Sequence, residues 1–370
     1  MKEFPEIKKR LAFGLMRLPM VGEEVDIPQV KDMVDLFLKN GFNYFDTAHG
    51  YIRGLSEKAV KECLSSRYPR ESYLLTNKLT GNFFNKEEDI IPLFNAQLEA
   101  CGVPYFDFYL MHAQNRLVFQ HFKKCHAYET ALKLLEEGKI RHFGISFHDT
   151  ADVLEQILQE YPQIEVVQIQ YNYLDYDDVS IQSKKCYDVC VKYDKRVLIM
   201  EPIKGGSLIN LPEKGQQLLK EKQLSPANLA LRFAATPKNV LMVLSGMSAF
   251  NQMEENISIM KDFQPLNEDE FHLCEQIAAT IRDTNMINCT ACRYCVDGCP
   301  KHISIPDLFA CMNSRRIFHD WNAGYYYHNV HTANKGKASE CIKCGRCENI
   351  CPQHLPIRQL LEEVAQEFEK

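Results

Sequence analysis

Two copies of one cysteine spacing lie near the C-terminus of this 370-residue chain. Each copy has three cysteines at every third position, then a fourth cysteine after three further residues, with a proline directly behind it. A cubane iron–sulfur cluster needs four thiolates at the corners of a tetrahedron, and a tight loop with this spacing supplies three of them. The fourth thiolate must come from a distant part of the chain. The C-terminal segment therefore has to fold so that the two copies meet.

In two-cluster ferredoxins with this spacing, the fourth cysteine of each copy ligates the other cluster. We therefore predict two 4Fe-4S clusters, each held by three cysteines of one copy and the last cysteine of the other. The ligands are Cys289, Cys292, Cys295 and Cys351 for cluster 1, and Cys341, Cys344, Cys347 and Cys299 for cluster 2. Structural zinc also favours Cys-x2-Cys pairs, but it rarely takes a third cysteine at the same step followed by Cys-Pro. The other cysteines are scattered along the chain without a repeated spacing. This distribution suits a protein of the reducing cytosol better than a disulfide framework.

Composition and charge exclude several functions. Hydrophobic residues make up 45% of the chain and charged residues 25%, as in an ordinary globular protein. The net charge of −6 gives no reason to expect nucleic-acid binding. Residues 1–10 are charged and lack the apolar stretch of a secretory signal, and no apolar run approaches the length of a membrane span. We therefore expect a cytoplasmic protein without membrane contacts.

The first 285 residues alternate between short apolar runs and amphipathic stretches. The runs typical of strands are 11–14, 43–46, 73–77, 106–111, 142–146, 166–170, 197–200 and 240–245. The helical patterns are about 28–40, 56–65, 86–100, 126–137, 150–160, 181–193, 249–261 and 265–285. This alternation predicts a parallel sheet buried on both faces, and about eight units favour a (β/α)8 TIM barrel. A doubly wound open sheet is the alternative, although no G-x-G-x-x-G follows the first strand.

The segment between the two cysteine copies spans about forty residues, more than minimal bacterial ferredoxins use. It has a partly helical pattern. We therefore predict two domains, a barrel over residues 1–283 and a small, mostly α-helical ferredoxin-like domain over 284–370.

Polar residues stand at the ends of three successive predicted strands. Asp46 ends the second strand and Tyr51 follows five residues later, while Lys78 and His112 end the third and fourth strands. The chemistry of such barrels lies on the loops behind the strand C-terminal ends. Each residue alone has a structural explanation, since a strand-end Asp often caps a helix and a Lys there often sits in solvent. Their joint occurrence makes them candidates for catalysis.

These residues and their spacing resemble the catalytic tetrad of the aldo-keto reductases. Further matching segments are Gly14 with 16–19, 138–141, 144–146, Gln168 with 171–172, 201–203 with 205–206, and 252–256. With the cysteine copies included, the chain is similar to the iron–sulfur branch of that superfamily. The resemblance covers about residues 10–265. It implies a (β/α)8 barrel, NADP or NAD as cofactor, and a small carbonyl or alcohol as substrate.

The resemblance also implies roles for individual residues. Tyr51 would be the general acid–base, Lys78 the cation that lowers its pKa, Asp46 the carboxylate that holds Lys78, and His112 the group that orients the substrate oxygen. The cofactor contacts would be Ser146 and Gln168 at the carboxamide, Lys204, Gly205 and Gly206 at the pyrophosphate, and Ser245, Gly246, Ser248, Gln252 and Asn256 at the adenosine end.

The sequence departs from the family at three cofactor positions. Val167 stands where an Asn often precedes Gln168, Met200 replaces the aromatic that stacks on nicotinamide, and Ser248 replaces an Arg near the ribose 2′-phosphate. Because a bidentate Arg is the preferred partner of a phosphate, the choice between NADP and NAD stays open.

Three functions are compatible with these patterns. The chain is a carbonyl reductase whose clusters exchange electrons with a redox protein partner, or a reductase whose clusters are structural. Alternatively, it is an iron–sulfur electron-relay or regulatory subunit whose barrel binds nucleotide without turning over carbonyls. Nicotinamide moves two electrons as hydride whereas each cluster moves one, and no flavin signature connects them.

The substrate is not readable from the sequence. We expect residues 113–125, behind His112, to form a loop that lines the substrate, with an ordinary surface loop as the alternative. The side chains available for this are Arg116, Phe119, His121 and Phe122.

Overall fold

The structure is a computed structural model that describes residues 2–178, 181–284, 286–318 and 323–370, with backbone alone for Phe318 and Tyr325. The chain divides into two compact units. We call them the barrel unit, Met1–Pro202 with Ala230–Leu266, and the C-terminal unit, Ile203–Leu229 with Asn267–Lys370. A division into domains at residues 283 and 284 stays a prediction.

Eight parallel strands close into a barrel in the barrel unit. They are β1 Leu11–Gly14, β2 Tyr44–Asp46, β3 Leu74–Leu79, β4 Phe106–Gln114, β5 Ile140–Phe147, β6 Val166–Gln170, β7 Arg196–Met200 and β8 Val240–Gly246. The first strand pairs with β8 on one side and with β2 on the other, which leaves no open edge. The predicted (β/α)8 barrel is therefore confirmed, and the open sheet is excluded.

Helices follow the strands along the chain. They are α1 Ile27–Lys39, α2 Leu55–Val60, α3 Ile90–Cys101, α4 Arg116–Lys124, α5 Ala127–Glu136, α6 Ala151–Glu160, α7 Ser183–Lys192, α8 Glu213–Glu221, α9 Pro226–Ala235 and α10 Phe250–Lys261. Gly41 and Gly138 stand two residues after the ends of α1 and α5, each behind the C-cap residue, with φ of 80° and 68°. Glycine ends helices in this way because it adopts the left-handed region without steric cost.

Residues 113–125 are not the expected loop. They contain α4, whose N-cap Asn115 accepts hydrogen bonds from two backbone N–H groups of the first turn. Phe119 and Phe122 are buried and pack edge-on against Tyr128. Their spacing of three residues is helical, and it turns both rings to the buried side of α4.

Side chains fill the inside of the barrel in place of a pore. The buried cluster there includes Ala12, Tyr44, Leu74, Phe108, Leu110, Val166, Leu198 and Met242. In β5, a Cβ on Gly144 would lie 2.5 Å from the carbonyl oxygen of Val166 and 2.8 Å from Leu110 Cδ2. Only glycine fits this interior layer. The packed interior leaves the strand C-terminal ends as the place for a site, as in other barrels of this fold.

The C-terminal unit is mostly helical, as predicted. It contains α8, then α11 Glu268–Arg282, α12 Tyr294–Asp297, α13 Ile305–Phe318, α14 Ala323–Tyr326, α15 Arg346–Ile350 and α16 Ile357–Phe368. Its core is built by Ile303, Leu308, Phe309, Ile357 and Val364, each at most 1% exposed. In the part of the chain that the structure describes, we find no helix with the length and apolar character needed to cross a membrane.

Candidate active site and cluster sites

Three neighbouring strands carry the candidate catalytic residues to one end of the barrel. Asp46 ends β2, Lys78 is the penultimate residue of β3, and His112 lies near the end of β4. These strands pair side by side in parallel, so their C-terminal ends are adjacent. Tyr51 follows β2 after a short loop, at the start of a 3-10 turn over Tyr51–Gly54. Residues far apart in sequence are thereby brought into one place.

Lys78 and Asp46 form a buried ion pair. The Lys78 ammonium is fully buried and donates to Asp46 Oδ1 at 2.6 Å and to the carbonyl oxygen of Thr47 at 2.8 Å. The other carboxylate oxygen, Asp46 Oδ2, is buried without a hydrogen-bond partner. Burial raises the pKa of Asp46 and lowers the pKa of Lys78, and their mutual attraction opposes both shifts. Removing one member of such a pair costs about 3–5 kcal/mol, because it leaves a buried charge unpaired.

Tyr51 lies against this pair. The Lys78 Nζ is 4.8 Å from the centroid of the Tyr51 ring. The pKa of Tyr51 is nevertheless raised well above its usual value, first by burial and then by the carboxylates of Asp46 and Glu201. This direction is opposite to the expected lowering by Lys78. Tyr51 therefore holds its proton firmly at neutral pH, as a general acid must before it donates.

His112 faces Tyr51 and is uncharged. The two rings meet edge-on with centroids 5.8 Å apart. Burial, and then the charge of Lys78, lowers the pKa of His112 well below its usual value. Thr80 Oγ1 lies 2.7 Å from His112 Nδ1. If the hydroxyl donates, the ring proton sits on Nε2, which can then donate to a substrate oxygen.

Sequence reasoning missed Thr80. Its signal is its spacing from Lys78, because residues two apart in an extended chain point to the same side, and Thr80 has extended backbone angles. We expect Thr80→Val to lower kcat about tenfold, because the His112 tautomer is no longer fixed. This is less than the roughly 100-fold or greater loss typical of removing an acid–base group itself. Thr80→Ser keeps the hydroxyl and should restore the rate. Equal loss in both variants would show that packing, and not the hydroxyl, matters at this position.

A second buried carboxylate supports the same strand. Glu57 is 1% exposed, and its two oxygens lie 2.8 Å from His49 Nδ1 and 2.8 Å from Asn77 Nδ2. The hydrogen bond with Glu57 is the main cause of the raised pKa of His49. Asn77 in turn accepts from the backbone N–H of Lys78. Glu57 therefore positions the end of β3, a role that sequence reasoning also missed.

Strained backbone surrounds these residues. Ile52, Arg53, Ala113 and Glu201 have φ between 50° and 55°. A β-branched residue such as Ile52 rarely adopts the left-handed region. Such conformations cost free energy and persist where the surrounding structure fixes them, most often at functional sites.

The cofactor candidates of the barrel unit form pairs. Asn256 Nδ2 donates to Ser245 Oγ at 2.9 Å, and the backbone N–H of Ser248 donates to Gln252 Oε1 at 2.8 Å. A Cβ on Gly246 would lie 3.2 Å from Arg17 Cβ, so the Arg17 side chain runs directly over this loop. Arg17 belongs to the segment 16–19 that matches the family, but sequence reasoning assigned this residue no role of its own.

The carboxamide candidates lie on β5 and β6. Ser146 Oγ is 3.5 Å from His148 Nε2, and Gln168 Nε2 is 3.5 Å from Met200 Sδ. The carbonyl oxygen Gln168 Oε1 is buried without a hydrogen-bond partner. A buried amide acceptor of this kind suits a ligand that brings its own N–H donor.

Lys204, Gly205 and Gly206 belong to the C-terminal unit. They form a 3-10 turn directly behind β7, with positive φ at all three residues. The Lys204 side chain is buried. The Lys204 ammonium therefore does not lie in solvent at the edge of the turn.

The two cysteine copies follow the same backbone path. Matching positions have positive φ: Ala291 and Lys343, Arg293 and Gly345, and His302 and His354. Strain repeated at equivalent positions indicates that both loops are shaped around the same kind of occupant.

Each copy lines a cavity of the C-terminal unit. The first cavity is lined by Cys289, Cys292, Cys295 and Cys351, and the second by Cys341, Cys344, Cys347 and Cys299. Each cavity thus has three cysteines of one copy and the last cysteine of the other. Burial, and then the neighbouring thiols, raises the pKa of Cys295. Within the described residues, no three His, Cys, Asp or Glu side chains converge on a point where one metal ion would sit.

Comparison with known proteins agrees with this geometry. The sequence profile of the Aldo/keto reductase family matches residues 10–279. The chain belongs to the aldo/keto reductase family. A second profile, that of a 4Fe-4S dicluster domain, matches residues 288–356. This aldo/keto reductase is therefore an oxidoreductase with a C-terminal iron–sulfur domain.

Relatives share the barrel. The chain is 26% identical over 266 residues to the NADH-specific methylglyoxal reductase of Escherichia coli, covering 60% of this chain and 79% of that protein. It is 25% identical over 279 residues to L-galactose dehydrogenase of Arabidopsis thaliana, covering 69% and 84%. The aldo-keto reductase AKR11C1 from Bacillus halodurans superposes with a TM-score of 0.60 at 24% identity, covering 73% and 96%. An aldo-keto reductase from Klebsiella pneumoniae in complex with NADPH has a TM-score of 0.60 at 17% identity, covering 74% and 95%. The structural likeness shows the fold.

Proposed function

We propose that this aldo/keto reductase reduces a small aldehyde or ketone to an alcohol, reversibly, with NADPH or NADH as reductant. The observation that carries the proposal is the buried contact chain from Asp46 through Lys78 and Tyr51 to His112. A buried ion pair adds little net stability, because the cost of removing the charges from water offsets their attraction. Perturbed pKa values beside strained loops are typical of a catalytic site.

Tyr51 is the general acid in this proposal. When bound, the nicotinamide supplies a hydride to the carbonyl carbon. The carbonyl oxygen gains negative charge and takes the proton from the Tyr51 hydroxyl. Lys78 then stabilises the phenolate that remains, and Asp46 keeps Lys78 in place. In the oxidation of an alcohol, the same phenolate accepts the proton.

His112 orients the substrate oxygen. Its neutral ring, with Nδ1 bound to Thr80, leaves Nε2–H to donate to the carbonyl oxygen. A neutral donor holds the oxygen without competing with Tyr51 for proton transfer. The two donors together form an oxyanion site in which charge develops in a buried environment.

The cofactor candidates of the barrel unit suit the carboxamide and adenosine ends of a nicotinamide dinucleotide. Gln168 offers a buried oxygen for the carboxamide N–H, with Ser146 as the second contact. The turn of Gly205 and Gly206 remains the candidate for the pyrophosphate, with the backbone N–H of Gly205 as the donor, because the N–H of Gly206 already donates to the carbonyl oxygen of Ile203 at 3.0 Å. Ser245, Ser248, Gln252 and Asn256 remain the candidates for the adenosine end, beside Gly246. Arg17 supplies the cation that Ser248 does not, and it is the candidate partner of a 2′-phosphate.

The cysteine cavities fit two 4Fe-4S clusters. Each cavity presents four thiols, and the strained loops repeat in both copies. Structural zinc rarely takes a third cysteine at the same step followed by Cys-Pro. The match of residues 288–356 to a 4Fe-4S dicluster domain supports clusters instead of zinc. We propose that the clusters pass single electrons to or from a redox protein partner.

The second candidate function is an electron-relay subunit whose barrel binds nucleotide without turnover. The mismatch between a two-electron hydride and one-electron clusters favours it, because a flavin or a similar carrier is normally needed to connect the two. An anaerobic screen of aldehydes and ketones with NADH and NADPH separates the two. Methylglyoxal is the first substrate to test, since a relative carries that name. Turnover supports the reductase, and nucleotide binding without turnover supports the relay.

The pH profile of alcohol oxidation reports on Tyr51. Oxidation needs the phenolate, so its rate should rise with pH, since burial, Asp46 and Glu201 hold the pKa of Tyr51 well above its usual value. Glu201→Gln removes one of those charges and should move the profile to lower pH. Glu155→Gln, on the outer helix α6, is the matched control and should leave it in place. A Glu201→Gln profile identical to that of the unmodified protein would contradict the role of Tyr51 as the titrating base.

A further inference from the structure

Lys204 joins the turn behind β7 to one cysteine segment of cluster 1. Its side chain is 1% exposed, and its Nζ donates to Gln353 Oε1 at 2.8 Å. Gln353 is itself 6% exposed, lies two residues after Cys351, and lines the first cysteine cavity. Burying a charged group is costly unless it is hydrogen-bonded, and Gln353 Oε1 accepts a hydrogen bond from Lys204.

Gly205 joins the same turn to the other cysteine segment of cluster 1. A Cβ on Gly205 would lie 2.5 Å from the carbonyl oxygen of Thr290 and 3.0 Å from its Cα. Thr290 is 1% exposed, directly follows Cys289, and also lines the first cavity. The contact is therefore backbone against backbone. One turn touches both chain segments that bring ligands to cluster 1.

The cations around the two cavities differ in burial. Arg293 lines the first cavity, but its guanidinium forms a bidentate pair with Asp307 at 2.9 and 3.0 Å. Lys301 and Arg346 line the second cavity and are both exposed. Water and salt screen exposed charges, whereas a buried charge acts at nearly full strength. Lys204 is therefore placed to act on cluster 1 more strongly than Lys301 and Arg346 act on cluster 2.

We propose that Lys204 raises the reduction potential of cluster 1 above that of cluster 2, and that the turn with Gly205 and Gly206 links this potential to nucleotide binding. The proposal rests on the cluster and pyrophosphate assignments of the proposed function. On reduction, one electron enters a cluster, no bond forms or breaks, and the cluster gains one negative charge. A nearby buried cation favours the more negative form, just as an opposite charge shifts a pKa by about 1–3 units.

Nucleotide binding should act in the opposite direction. A pyrophosphate bound at the turn of Gly205 and Gly206 brings negative charge close to Lys204, which belongs to the same turn. It therefore disfavours reduction of cluster 1. Because coupling between two equilibria is reciprocal, reduction of cluster 1 must weaken nucleotide binding by the same factor.

The test is a potentiometric titration of the full-length protein with both clusters, reduced by dithionite through mediators and followed by electron paramagnetic resonance. Two one-electron transitions are expected. Lys204→Met should lower the equilibrium constant for reduction of the higher-potential cluster about tenfold. For one electron, this corresponds to a decrease of about 59 mV in its reduction potential. Lys301→Met, at the second cavity, is the matched control and should leave the higher potential unchanged. Saturating ADP-ribose, which carries the pyrophosphate without a redox-active ring, should lower the same potential in the unmodified protein.

Gln353→Glu provides a second variant that keeps Lys204. The new carboxylate cancels the Lys204 charge and should also lower the higher potential. The proposal is overturned if Lys204→Met, Gln353→Glu and ADP-ribose all leave both potentials in place while two clusters titrate. A protein that titrates fewer than two clusters would instead contradict the cluster assignment, and the inference would fall with it.

Discussion

Replacement of Tyr51 by Phe is expected to lower the rate of carbonyl reduction by at least about 100-fold, because the substrate oxygen then receives no proton from the enzyme. The ring remains, so the edge-on contact with His112 and the packing over Lys78 are kept. Nucleotide affinity should therefore change little. The measurement is anaerobic oxidation of NADPH and NADH with methylglyoxal and other small carbonyls, together with nucleotide binding by fluorescence.

Tyr68→Phe is the matched control for this variant. Tyr68 donates its hydroxyl to Asp35 on the outside of the barrel unit and should be replaceable without loss of rate. Turnover by Tyr51→Phe at the level of Tyr68→Phe would remove Tyr51 from the mechanism. A large loss in both variants would point to a general weakening of the barrel instead.

Replacement of Cys295 by Ala is expected to remove one of the two clusters. Cys295 is 8% exposed and lines the first cavity with Cys289, Cys292 and Cys351. Iron in anaerobically prepared protein should fall from about eight to about four atoms per chain, since each cubane holds four. The cavity wall is part of the packed core around Phe309, so the C-terminal unit should also unfold at lower temperature.

Cys311→Ala is the control for the cluster prediction. Cys311 is 5% exposed in the same core but lies outside both cysteine copies and lines neither cavity. The Cys311→Ala variant should keep its full iron content, and it should lose only the stability that the packing of this side chain provides. Zinc in place of iron in the unmodified protein, or equal iron in the Cys295→Ala and unmodified proteins, would contradict the ligand assignment.

The barrel was predictable because its strands are short and buried on both faces. Such strands form apolar runs that the sequence shows directly, and each of the eight predicted runs overlaps an observed strand. The helix Arg116–Lys124 was not predicted, because its polar side chains and its place behind His112 favoured a loop. Its amphipathic spacing was present, with Phe119 and Phe122 three residues apart.

The candidate site was predictable in its members but not in its electrostatics. The strand-end positions of Asp46, Lys78 and His112 follow from the register of a parallel barrel. The raised pKa of Tyr51 does not, because it depends on burial and on Glu201, a residue on a distant strand end. The role of Thr80 and the contact of Lys204 with Gln353 were not predicted for the same reason, because tertiary packing sets the pairing of Thr80 with His112 and of Lys204 with Gln353.

The most direct test of the central claim, hydride transfer in the barrel with a proton from Tyr51, follows the hydrogen itself. The reaction is run with NADPH deuterated on one or the other face of the nicotinamide C4, and the alcohol is analysed by mass spectrometry. We predict one deuterium on the former carbonyl carbon with one of the two deuterated forms and none with the other. If the alcohol carries no deuterium with either deuterated form of NADPH, the account is contradicted, because the carbonyl would then have been reduced without hydride transfer from the nicotinamide.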